Sequence, residues 1–115
     1  MHIDIQSRSF SLTRALKNYA EKKLKSSLSR CEDHLQRVVI KLSDINGPRG
    51  GEDKRCHLQV MLFGLPDVII EDTEEDMYAA IDRAADRAEC TVVRKVKRQQ
   101  TLLKQNRQII RHLIV

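Results

Sequence analysis

Residues 75–98, EDMYAAIDRAADRAECTVVRKVKR, contain no glycine or proline and are rich in good helix formers. At about 100° per residue one arc collects Met77, Tyr78, Ile81, Ala84, Ala85, Ala88, Val92 and Val96. This is an apolar stripe of mostly small side chains, able to lie close against a sheet. The opposite arc collects Arg83, Arg87, Arg94, Lys97 and Arg98, while Asp82, Asp86 and Glu89 fall together on one flank. A helix apolar on one side and cationic on the other predicts docking on a core with a basic face turned outward.

The flanking sequence supplies the sheet. Met1–Gln6 alternates, Ile3 and Ile5 against His2 and Asp4, which predicts a short half-buried strand. Ser11 and Thr13 each offer an N-cap to a helix from Leu12 to Arg30, with Leu12, Leu16, Tyr19, Ala20 and Leu24 as its stripe. Between positions 11 and 30 there are six basic residues and one acid, Glu21. Arg14, Lys22 and Lys25 lie on the far side and Lys17 at the border, so this is a second cationic helix.

Leu35 to Ile45 reads as a strand, with Val38, Ile40 and Leu42 on one face and Arg37, Val39 and Lys41 on the other. NGPRGGED (46–53) is turn chemistry throughout and predicts an exposed, mobile hairpin loop. Arg55–Phe63 alternates again, Cys56, Leu58, Val60 and Leu62 sharing a side. Gly64–Leu65–Pro66 is expected to turn the chain into a strand over Asp67–Asp72, around Val68 and Ile70. The acidic run Glu71, Asp72, Glu74, Glu75, Asp76 is expected to cap the positive end of the second helix.

The predicted order is β-α-β-β-β-α, an α+β fold. The first two strands should be parallel through a helical crossover and the others antiparallel hairpins. Both helices then cover one face of a four-stranded mixed sheet, like a double-stranded-RNA-binding domain, and their basic sides form one patch. The predicted division is an α+β domain over residues 1–98 and a C-terminal extension over 99–115, helical or a flexible tail. In that extension, QQTLLKQNRQIIRHLIV, Leu102, Leu103, Ile110, Leu113 and Ile114 prolong the apolar stripe, and a homodimer through this surface is expected.

The chemistry that is not visible narrows the function. Net charge is +5, a basic balance that suits a polyanionic partner, while aromatic residues are 3%, too few for a base-stacking platform. No apolar run approaches a membrane span and the first residues lack a signal peptide's apolar core, so a cytoplasmic protein is expected. Cys31, Cys56 and Cys90 are odd in number and scattered, which predicts reduced thiols. Cys31 with His34 and Cys56 with His57 lack the CxxC spacing of a zinc site, so neither metal nor cofactor is expected. No nucleophile elbow, phosphate loop or HExxH motif is present, and an enzyme is not expected.

The residues also carry a resemblance. EDMYAAID (75–82) with the basic stretch to Arg98, the helix start LTRAL (12–16) and the strand CHLQVML (56–62) resemble the ribosome hibernation factors. That family comprises the hibernation promoting factors and ribosome-associated inhibitors, formerly called sigma-54 modulation proteins, and the likeness is to its short form. It covers residues 1–98. The resemblance implies a non-enzymatic factor on the small ribosomal subunit under stress, its basic helices on ribosomal RNA in the channel used by messenger and transfer RNA. It implies RNA contacts at Lys17, Lys23, Arg87 and Arg94. The helix faces add Lys22, Lys25, Arg83, Lys97 and Arg98 to the expected RNA-binding set. The rival expectations are a general double-stranded RNA binder and a protein-interaction module acting through the extension.

Overall fold

The computed structural model describes residues 2–8, 12–44 and 54–114, and of residues 105–114 the backbone alone. β1 (Ile3–Arg8) leads through α1 (Arg14–Leu28) and a 3-10 turn (Ser29–His34) to β2 (Leu35–Asp44), β3 (Lys54–Leu62), β4 (Leu65–Glu74) and α2 (Met77–Ile114). The sheet order is β1-β2-β3-β4, β1 and β2 parallel and the other neighbours antiparallel. This is an α+β fold with a four-stranded mixed sheet and both helices on one face. The expected loop at 46–53 lies outside the described residues.

Alternation decides which face is covered. Val38, Ile40 and Leu42 of β2 align with Val60, Leu58 and Cys56 of β3, and Val68 and Ile70 of β4 continue the rows. All are buried in one cluster with Leu16, Ala20 and Leu24 of α1 and with Ile81, Ala84, Ala85, Ala88 and Val92 of α2. The small alanines let α2 sit low on the sheet, where larger side chains would hold it off. Ala80 belongs to this contact as well. Tyr78 does not: it is 39% exposed, its ring edge-to-face with that of Tyr19 at 4.8 Å between centroids.

Local chemistry moves several boundaries. α1 starts two residues later than expected because Thr13 is its N-cap, its side chain accepting from the Leu16 amide at 3.1 Å; Ser11, the other expected cap, lies outside the described residues. The turn after β3 is Phe63–Gly64, and Leu65 already pairs with Leu62. Gly64 sits at φ +72, a left-handed conformation that glycine tolerates, and this lets two residues reverse the chain. Pro66 is accommodated because β4 is an edge strand.

Most of the acidic run does not cap the second helix. Glu71, Asp72 and Glu74 lie in β4, which runs to Glu74, and only Asp76 reaches the helix start, accepting from the Tyr78 amide at 3.4 Å. α2 continues for 38 residues, about 57 Å, against roughly 33 Å for the ten-residue strands. Among the described residues, no helix is long and apolar enough to cross a membrane.

Candidate nucleic-acid interface

The acidic flank of α2 faces α1. The Tyr19 hydroxyl donates to Asp82 Oδ1 at 2.5 Å, and Lys23 Nζ lies 3.1 Å from Asp86 Oδ1. The hydrogen bond to Asp82, reinforced by desolvation and by the negative charge of Asp82, pushes the Tyr19 phenol above its ordinary pKa. These links fix the two helices side by side, so their outer faces form one continuous layer. Lys23, expected to contact RNA, is in this structure a strut between the helices.

The arginine stripe of α2 divides into two parts. Arg83 Nη1 donates to Glu74 at 2.7 Å. Arg87 Nη1 donates to Asp72 at 2.9 Å and to the Glu71 carbonyl at 3.0 Å. Asp72 and Glu74 continue the helix-facing side of β4 after Val68 and Ile70, so these arginines bridge α2 to the sheet edge. Each arginine side chain is more than half exposed, but its charge is already opposed by a carboxylate.

Beyond Arg87 the partners run out. Arg94, Lys97 and Arg98 are exposed, and none makes an ion pair among the described residues. Arg94 and Lys97 line an open groove with Cys90, Val93, Glu89 and Arg30, the last contributed by the 3-10 turn after α1. Lys17, Lys22 and Lys25 are exposed on α1, the latter two beside Asn18 and Glu21. Thus the structure separates Lys17, Lys22, Lys25, Arg94, Lys97 and Arg98, free to meet anions, from Lys23, Arg83 and Arg87, which are paired. Arg30 was missed by helical periodicity because it lies past the end of α1, in a turn that redirects it toward α2.

Such a surface can hold phosphates electrostatically, with Arg30 and Arg94 able to fork onto phosphate oxygens. It offers little to read bases, because the layer's aromatic pair, Tyr19 and Tyr78, is packed ring to ring. Among the described residues no three His, Cys, Asp or Glu side chains cluster as a metal site. Cys31 and Cys56 are buried and Cys90 exposed, all free thiols.

Comparison with known proteins agrees with this architecture. The family model described as "Sigma 54 modulation protein / S30EA ribosomal protein" matches residues 3–101. The crystal structure of the Protein Y N-terminal domain from Thermus thermophilus is 36% identical, with a TM-score of 0.67, covering 82% of this chain and 98% of that one. A ribosomal subunit interface protein from Coxiella burnetii is 24% identical with a TM-score of 0.70, covering 84% of this chain and 99% of that one; this likeness speaks for the fold alone. No curated protein matches the sequence.

Proposed function

The chain belongs to the sigma 54 modulation protein / S30EA ribosomal protein family, and from that membership we propose that it is a ribosome-binding hibernation factor acting by occupation. In this reading the helix layer rests on small-subunit ribosomal RNA and fills the space that messenger and transfer RNA need, without a chemical step. The observation that carries it is the free cationic surface of Lys22 and Lys25 on α1 with Arg94, Lys97 and Arg98 on α2, beside Arg30. Neutralised phosphates release counterions, so affinity should fall steeply with salt. Co-sedimentation with purified small subunits tests the proposal: wild-type protein pellets and is displaced by transfer RNA, whereas Lys22→Glu/Arg94→Glu protein stays in the supernatant. Equal pelleting of that variant sinks the helix-layer reading. Binding to free duplex RNA as tight as to subunits, with no displacement by transfer RNA, favours the general double-stranded RNA binder.

A specific feature favours a further role for the extension. α2 outlasts the strands, and Leu102 and Leu103 are more than half exposed on it. We infer that residues 99–115 form a self-association surface separate from the 1–98 domain. Truncation after Arg98 should then turn a dimer into a folded monomer in sedimentation equilibrium. A full-length monomer at high micromolar concentration removes the dimer.

A further inference from the structure

The face of the sheet away from the helices carries a cationic surface of its own. Because Val38, Ile40 and Leu42 point under the helices, Lys41 and Ser43 of β2 face the other way. Strand register places Gln6, Lys41 and His57 in one cross-strand row, and Arg8, Ser43 and Arg55 in the next. These six residues line a shallow cleft of about 420 Å³ across β1, β2 and β3. No acid lines it among the described residues. Glu71, opposite His57 on β4, pairs with Arg55 from outside the cleft. Asp4, toward the other end of β1, is held by Arg37 at 3.0 Å and by Gln6 at 3.3 Å. Arg8 and Lys41 are exposed and make no ion pair among the described residues.

The donor set indicates the ligand. The Arg8 guanidinium and the Lys41 ammonium suit phosphate oxygens, Arg55 is shared with Glu71, and a hydroxyl and a carboxamide beside them suit ribose hydroxyls. Among the described residues no Phe, Tyr or Trp lines the cleft and His57 is its one ring, so the backbone of a strand fits it better than a run of stacked bases. Leu42 is the one aliphatic residue of the lining and is buried, so the concave site has no exposed apolar side chain to insert into a lipid surface. We propose that this cleft binds the phosphodiester backbone of an RNA segment distinct from the one under the helices, so that the domain is held between two RNA segments. The helix layer is on the opposite side of the sheet, so one stretch of backbone cannot satisfy both surfaces.

The test uses the full chain carrying Lys22→Glu and Arg94→Glu, in which the helix layer is weakened. Titration of this 15N-labelled protein with a twelve-nucleotide oligouridylate at low salt should shift the amides of Lys41, Ser43 and His57. Adding Arg8→Glu and Lys41→Glu should abolish those shifts while the signals of buried Ile40 and Leu58 stay in place, showing an intact sheet. In otherwise wild-type protein, Arg8→Glu/Lys41→Glu should lower the salt slope of oligonucleotide binding by about 1.4, from two lost single-strand phosphate contacts. Unmoved amides, or an unchanged slope, overturn the proposal. So does inorganic phosphate at equal concentration producing the same shifts, because the cleft would then take an isolated anion rather than a strand. The two readings fail separately: subunit co-sedimentation reports on the helix layer and the amide shifts report on the sheet.

Discussion

Replacing Arg87 and Arg94 one at a time by alanine should separate fold from binding, although both belong to one basic stripe. Arg87 donates to Asp72 at 2.9 Å and to the Glu71 carbonyl at 3.0 Å. The Asp72 side chain is only 13% exposed, whereas that of Arg87 is 55% exposed. An exposed pair alone contributes little, but losing the guanidinium leaves a mostly covered carboxylate without its counter-ion. Discounting for the solvent around Arg87, Arg87→Ala should cost about 1 kcal/mol, or roughly 4 °C in melting temperature for a domain of this size. Arg94 is exposed and makes no ion pair among the described residues, so Arg94→Ala should change stability by less than about 0.5 kcal/mol. The order reverses for binding. Arg94→Ala should reduce the slope of log affinity against log salt by roughly 0.9 for one duplex phosphate, and Arg87→Ala by much less. Urea unfolding and small-subunit binding across a potassium chloride series measure both quantities on the same samples. The division of the stripe is refuted if Arg87→Ala loses slope as Arg94→Ala does while keeping wild-type stability.

Further outcomes follow from the core and the titratable groups. Ile81 is fully buried at the centre of α2's contact, so Ile81→Ala should cost about 2–4 kcal/mol in urea unfolding; a change under 1 kcal/mol would show that the helix is not seated there. The Tyr19 phenol is raised by its bond to Asp82, so the unfolded chain ionises first, near pH 10, and stability should drop as pH climbs through the folded value. Tyr19→Phe should flatten that drop and cost about 0.5–1.5 kcal/mol at neutral pH; an unaltered pH profile would mean the bond is not made in solution. Burial, with a smaller contribution from the charge of Asp72, pushes the Cys56 thiol up to about 12, and burial also raises Cys31. A thiol reagent at pH 8 should therefore modify Cys90 alone in native protein and all three cysteines in denaturant. Rapid labelling of Cys56 in the native state would contradict its burial.

The fold was legible because its signals are periodic. Val38, Ile40 and Leu42, then Cys56, Leu58 and Val60, alternate cleanly, and Ile81, Ala84, Ala85, Ala88 and Val92 recur at helical spacing. The site was legible only in part, because periodicity gives the direction of a side chain and not what lies opposite. Arg83 and Arg87 share a face with Arg94, yet Glu74 and Asp72 reach the first two and no acid of β4 is paired with the third. A signal for this was present: Asp72 and Glu74 follow Val68 and Ile70 at steps of two, which continues the helix-facing side of a strand. Their position just before the helix also fits capping of its dipole, so position alone does not distinguish the two roles. Arg30 depended on a 3-10 turn, and the sheet-face cleft on the register of three strands, neither of which a single helical or strand period encodes.

The alanine seat of α2 acts also as a fulcrum. From Ala85 to Ile114 the helix runs about 44 Å, most of it past the point where the sheet supports it. A tilt of only about 5° at the seat, of the kind that one extra methylene pressed into a close-packed layer could force, would swing the far end by roughly 4 Å. The smallest side chains in the protein therefore set the aim of its longest element. A substitution there could leave the domain folded and its outer charges unchanged, and still misdirect whatever the distal end of the rod must reach.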